Sequence, residues 1–345
     1  MRTKDIATII ATFSVIILII WYLSPEKLLR KIGEISIEIL FLLIVLYALD
    51  ISIRVVRMHI LVSSLGYEVS YIPLFHAVAA TLFVNSCTPA RAGELVRLHV
   101  LREEYDIPYA EGLAAIVVEH VLNIIAILTL AICSFLYVRE EYTIDPAVES
   151  LLLIGVIFIS IFNFFLISMA FWGDRLAPIF RFFGPLQDKL LSFFLNFQQG
   201  LAALRKSGFR NIFLCVLLSF FVWLIEATMI FLLANDLAEG SNVSFVLATL
   251  ASVLGNLTYI FPILPGSIGT YELAIAVVFL LVDLEEKTGV LIAAIDHGFK
   301  VVFLAIVGGY ATAKLGVDFV FRRELNHKRT LSASEHEKRN DPAEL

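Results

Sequence analysis

The stretch AVAATLFVNSCTPARAGELVRLHV, residues 77–100, is an apolar run interrupted by Pro-x-x-x-Gly from Pro89 to Gly93, with Glu94 directly after. A second stretch, VLATLASVLGNLTYIFPILPGSIGTYELAIAVV at residues 246–278, is interrupted in the same way from Pro265 to Gly269, with Glu272 just beyond. The likeness continues downstream. Glu119-His120-x-x-Asn123 begins thirty residues past Pro89, and Asp296-His297-x-x-Lys300 begins thirty-one past Pro265. A break followed by an acid-His-x-x-polar motif on the next apolar helix, in two copies, reads as an internal repeat. Where membrane proteins carry such repeats on broken helices, the site lies where the copies meet.

Composition sets the environment. The chain is 59% apolar, and its mean hydropathy is +0.87. Several windows of about 18 or more apolar residues match a hydrocarbon core of ~30 Å, so the chain inserts into a membrane. The net charge of −6 is spread over loops and points to no nucleic-acid partner. Cys87, Cys133 and Cys215 all lie in apolar stretches without metal-ligand spacing. They read as small core residues. The first apolar run, 6–23, ends in Trp21-Tyr22 and lacks a small-residue cleavage site, so it is expected to stay as a span.

The expected fold is an all-α polytopic membrane protein. About six full spans are predicted, near 6–23, 37–62, 108–137, 151–172, 211–234 and 288–313. Two re-entrant broken-helix hairpins lie between them. The first has a half-helix near 73–86, too short to cross at ~1.5 Å per residue, and resumes at 93–100. Residues 1–313 form the membrane domain, and the charged tail 314–345 is expected to be a disordered cytoplasmic segment. Within 173–210, apolar residues recur every three or four positions, the pattern of an amphipathic helix in the headgroup layer. Asp50, Arg54 and Arg57 share one helical face. They read either as an intrahelical ion pair with snorkelling arginines, or as a place where Arg54 or Arg57 steers an anionic headgroup.

Orientation follows from lysine and arginine. The 173–210 loop holds six (Arg175, Arg181, Lys189, Arg205, Lys206 and Arg210), against one in 139–150, none in 235–244 and one in 283–287. Both termini are therefore placed in the cytoplasm, in a multi-pass protein of the plasma membrane. Lys27, Arg30 and Lys31 in the first link run against this tally. The two hairpins then enter from opposite faces, which makes the repeat inverted.

A helix break inside hydrocarbon frees backbone groups, each costing several kcal/mol unless protein or water covers it. The breaks at Pro89–Gly93 and Pro265–Gly269 therefore predict a wet internal cavity, unless each is merely a kinked span. Each half-helix beyond them offers free N–H groups and a positive dipole end, suited to an anion such as a phosphodiester. Arg91 would add a bidentate donor; Ser267 and Thr270 would add hydroxyls. Glu94, Glu119, Glu226, Glu272 and Asp296 are costly at depth. They would bind a cationic group or relay protons, or else pair with Arg91, Arg97, His120, His297 or Lys300 to hold helices together. Neighbouring helix positions point about 100° apart, so Glu119 and His120 do not share a metal ion readily. No cofactor is called for. No Gly-x-Ser-x-Gly elbow, His-Glu-x-x-His or Walker loop occurs, so an enzyme is not expected.

These motifs resemble the transmembrane, flippase-like region of the lysylphosphatidylglycerol synthase family over about residues 5–315. The first signature is similar to Thr-Pro-x-x-x-Gly-Glu-x-x-Arg, here Thr88, Pro89, Gly93, Glu94 and Arg97. The next helix is similar to Glu-Arg-x-x-Asp, with His120 and Asn123 standing where Arg and Asp are usual after Glu119. The later signature is similar to Pro-Gly-x-x-Gly-x-x-Glu, here Pro265, Gly266, Gly269 and Glu272. His297 and Lys300 occupy a region where the family commonly has arginine. The soluble aminoacyltransferase domain of the synthase members has no counterpart in these residues. The resemblance therefore implies translocation of a polar-headed lipid without lysine transfer. The rival expectations are an intramembrane transferase acting on a phospholipid or polyprenyl-linked glycolipid, and a scaffold for lipid-synthesis enzymes. The expected partners are membrane lipids with anionic or polyprenyl-phosphate headgroups, and lipid-synthesis or glycosyltransferase proteins.

Overall fold

The computed structural model describes residues 25–88, 92–142, 187–237, 242–259, 267–282 and 284–339, together with 157, 160, 161, 164 and 168. Every regular element among them is helical. In order these are α1 (Pro25–Glu34), α2 (Ile37–Ser64), α3 (Tyr71–Cys87), α4 (Gly93–Tyr105), α5 (Tyr109–Glu141), α6 (Gln187–Lys206), α7 (Phe209–Leu237), α8 (Phe245–Leu257), α9 (Thr270–Phe279) and α10 (Glu286–Arg339).

Four helices are long and apolar enough to cross a membrane: α2, α5, α7 and the Glu286–Gly316 part of α10. They answer to four of the six predicted spans. The predicted span 6–23 lies outside the described residues, as does most of 151–172. Around the two breaks the helices are short. α4 and α8 have 13 residues each and α9 has 10, lengths of about 15–20 Å at ~1.5 Å per residue. None of the three crosses ~30 Å of hydrocarbon alone.

Local chemistry sets the starts and stops. The Ser36 hydroxyl accepts from the Ile39 N–H at 3.4 Å to start α2, and Ser244 accepts from the Leu247 N–H at 3.2 Å to start α8. α4 ends at Asp106, whose φ of 53° turns the chain. Gly269 has φ 87° ahead of α9, a conformation that glycine adopts without a Cβ penalty.

The packing brings the two motif-bearing segments together. α3 lies against α10 and α8 against α5, while α2 packs on α7. Each segment thus presses its short helix onto the long helix of the other. The α3–α10 contact is close enough that a Cβ on Gly308 would sit 2.6 Å from the Ala79 carbonyl oxygen. Small residues at such crossings let membrane helices touch backbone to backbone. α6 is helical as expected, and it seats Gly200 and Leu204 on α5. Outward surfaces of the long helices carry Phe41, Val45, Phe213, Phe221, Val302 and Ile306, all exposed. In a chain of this hydropathy that belt faces lipid. The tail, for which composition predicts disorder, continues α10 as helix to Arg339.

Candidate functional site

The first half of the polar interior is built on α2, α4 and α5. Arg57 is fully buried, and its guanidinium donates to Glu119 Oε1 at 2.8 Å, Asn123 Oδ1 at 2.7 Å and Ser219 Oγ at 2.9 Å. Arg97 donates to the other oxygen of Glu119 and to Glu94. Glu94 also meets His120 Nε2 at 3.3 Å. The N–H of Gly93, first residue of α4, donates to Asn85 Oδ1 at 2.9 Å. Close approach requires glycine here, because a Cβ on Gly93 would lie 2.2 Å from the Thr81 carbonyl oxygen.

The second half is built on α7, α9 and α10. His297 Nδ1 lies 2.7 Å from Glu272 Oε1. The other oxygen of Glu272 accepts the Gly269 N–H at 2.6 Å. Asp296 accepts from the Tyr271 hydroxyl at 2.6 Å and from Lys300 at 2.8 Å. Lys300 also donates to Glu226. On the facing side Arg54 donates to Asp50 at 2.7 Å and to Glu226 at 3.4 Å. The Arg54 guanidinium stands 5.7 Å from the centre of the Trp223 ring.

The halves correspond in two of their contacts. The glutamate after each glycine meets the histidine of its own copy, Glu94 with His120 and Glu272 with His297. The last residue of each five-residue motif meets the preceding long helix, Asn123 reaching Arg57 on α2 and Lys300 reaching Glu226 on α7. The sign is reversed: α2 supplies the cation in one pair and α7 the anion in the other.

Between the halves lies a cavity of about 270 Å³. α5 contributes His120, Asn123, Ile124 and Ile127 to its wall, and α10 contributes His297, Lys300, Val301 and Leu304. The same interval of sequence separates each of the first four from its counterpart. α2 adds Tyr47 and Arg54, α3 adds Asn85 and Ser86 with Thr88 just beyond, and α7 adds Trp223 and Glu226. Asn256 and Tyr259 close the wall from the end of α8.

Of the predicted site residues, Thr88, His120, Asn123, His297 and Lys300 reach this cavity. Glu94, Arg97, Glu119, Glu272 and Asp296 stand behind it and hold the wall by the ion pairs above. Pro89, Arg91, Pro265 and Gly266 lie outside the described residues. Three expectations change. Arg57 does not snorkel: it points inward because Glu119, Asn123 and Ser219 together satisfy its guanidinium edge. The N–H groups of Gly93 and Gly269 are occupied by Asn85 and Glu272, so those two donors are not free for an anion. Ser267 is fully buried, and the Thr270 hydroxyl donates to the Ser267 carbonyl at 2.9 Å, so that hydroxyl is used locally. Tyr47, Asn85, Trp223, Asn256 and Tyr259 were not singled out from sequence. The two asparagines each stand near the end of the half-helix before a break, and that shared placement was the available signal.

Residues 9–308 match the family described as the lysylphosphatidylglycerol synthase TM region. The chain belongs to this family. A UPF0104 membrane protein of Pyrococcus horikoshii is 22% identical over 90% of this chain and 97% of its own length. One of Methanocaldococcus jannaschii is 22% identical over 95% and 98%. The glycosyltransferase AglD of Haloferax volcanii is 24% identical over 89% of this chain, which spans 54% of AglD. No solved structure matches. Family membership and the apolar helices together make this a multi-pass membrane protein.

Proposed function

We propose that this member of the synthase TM-region family translocates a polar-headed membrane lipid, its headgroup passing through the central cavity while its tails stay in the bilayer. One observation carries the reading: a cavity with charged and polar side chains in its wall is lined by corresponding residues of α5 and α10, inside long helices whose outward faces are apolar. Ligand pockets usually run from about 300 Å³ upward, so ~270 Å³ holds a headgroup and leaves no room for tails. The short helices around each break serve as re-entrant hairpins. With the termini in the cytoplasm, as the basic loops favour, the copies are inverted, and exchange of their packing would open the cavity to each leaflet in turn. The plasma membrane is the proposed location. Enzymes that make or use the lipid are its proposed partners, and the chain itself is not an enzyme.

A second reading, transfer of a sugar on a lipid carrier within the membrane, draws on the similarity to AglD. One experiment separates the two. Purified protein in liposomes is expected to equilibrate labelled polar-headed lipids between leaflets at least tenfold faster than empty liposomes, with the lipid mass unchanged. Covalent conversion seen by mass spectrometry would favour the transferase. Neither movement nor conversion across a panel of headgroups would refute both.

A further inference from the structure

The cavity wall is unusual in which of its groups are spoken for. Its fixed cations are Arg54 and Lys300. Arg54 gives its Nε and Nη2 to Asp50 and Glu226. Lys300 uses its three donors on Glu226, Asp296 and the Tyr271 hydroxyl. Three carboxylates therefore answer two fixed cations. Both histidines of the wall also face carboxylates, Glu94 and Glu272. An anionic headgroup entering here would find no cation without a matching acid among the described residues. At Lys300 it would have to break a buried pair, which leaves a carboxylate unpaired at a cost of several kcal/mol, and at Arg54 Nη1 it would add a negative charge beside Asp50 and Glu226.

Arg54 keeps its Nη1 and His120 its Nδ1 without a hydrogen bond among the described residues; the other groups left over are neutral. The Tyr47 hydroxyl makes no hydrogen bond among the described residues, although Tyr47 is only 5% exposed and lines the cavity. Asn123 spends its Oδ1 on Arg57, and its amide nitrogen has no partner among the described residues. Asn256 spends its nitrogen on Ser252, and its Oδ1 accepts from none of them. A hydroxyl, an amide donor and an amide acceptor thus border one space. Trp223 and Tyr259 offer aromatic rings beside them, and the Trp223 ring is fixed by its N–H on the Asn123 carbonyl at 3.1 Å. Sugar hydroxyls each donate and accept, and the C–H face of a sugar ring packs on aromatic surface. Small-molecule sites combine apolar and aromatic walls with a few placed polar groups in this way.

We infer that the cavity receives an uncharged, hydroxyl-rich headgroup of the glycosyl class in preference to a phosphate. This rests on the translocation reading for the route of entry, but the binding preference is separately measurable. The probes are a short-chain glucosyl diacylglycerol, phosphatidic acid with the same chains, and methyl glucoside. Each is added to the full chain in phosphatidylcholine nanodiscs, with Trp21→Phe and Trp172→Phe introduced so that Trp223 reports alone. The glucosyl lipid is expected to quench Trp223 at a concentration at least tenfold lower than phosphatidic acid. Tyr47→Phe, which keeps the ring, is expected to weaken the glucosyl lipid about tenfold, the loss of roughly one hydrogen bond, and to leave phosphatidic acid unchanged. Asn256→Ala is expected to act in the same direction.

Competition by methyl glucoside would place the affinity in the sugar alone, and its failure would show that the lipid anchor contributes. Either supports the inference. Phosphatidic acid binding as tightly as the glucosyl lipid, equal effects of Tyr47→Phe on both, or no quenching by any probe would overturn it. Binding without movement between leaflets would instead refute translocation and leave the headgroup preference standing. Movement of anionic lipids alone, without glucosyl binding, would do the reverse.

Discussion

Glu119→Ala is expected to destabilise the protein by about 3–5 kcal/mol, the usual cost of stripping a buried charge of its partner. Each Glu119 oxygen serves one arginine, Arg57 on α2 and Arg97 on α4. Arg57 is fully buried, and Arg97 is only 3% exposed. Neither can swing to water when the carboxylate goes. The Nε atoms of both arginines already lack a hydrogen bond, so there is little slack for repair. Three helices lose their common tie at once. Adding Arg57→Met to Glu119→Ala removes one of the stranded cations, and about a third or more of the lost stability should return. Thermal denaturation in nanodiscs checks both variants. A Glu119→Ala protein that melts within a degree or two of the parent would show that water or lipid reaches these arginines.

Lys300→Met has the second large effect, and it falls on both stability and movement. The lysine is the cation shared by Asp296 and Glu226, one from its own helix and one from α7. Asp296 already has one oxygen, Oδ1, without a partner, so the loss of Lys300 leaves only the Tyr271 hydroxyl beside it. A loss of roughly 3 kcal/mol is expected, at the low end for a buried pair because Arg54 still holds Glu226. Lys300→Met combined with Asp296→Asn should recover most of that stability. It should not recover lipid movement, expected to stay at least tenfold below the parent, because the wall of the cavity has lost its polar shape. Recovery of both would assign Lys300 a purely structural role.

Hydropathy alone made α2, α5, α7 and α10 legible, since nothing else tolerates such lengths of apolar sequence. The paired motifs made the Glu–His contacts legible as candidates, because nearly equal spacing in two places is hard to misread. What the chain could not give was the partner of each charge. Asp50 and Arg54 were found because an i,i+4 pair is local. The inward turn of Arg57 is not legible because the helix that covers it, α5, is distant in sequence, and a helical face says nothing of what packs on it. The neutral groups of the wall are harder still. Tyr47, Asn123 and Asn256 matter through the hydrogen bonds they lack, and only a packed structure shows which groups have been left over. The N-terminal donors at Gly93 and Gly269 look free in the sequence for the same reason, since the side chains that take them approach only after folding.

The account rests on a hydrated passage shared by the two copies. Ile124→Cys and Val301→Cys, corresponding wall positions on α5 and α10, test it directly in a chain whose native cysteines are replaced by serine. In sealed vesicles, a membrane-impermeant thiol reagent is expected to label each position from either face in separate experiments, and added glucosyl lipid should slow both reactions. Labelling of neither cysteine, or of both from one face alone, would contradict a passage that opens in turn to the two sides.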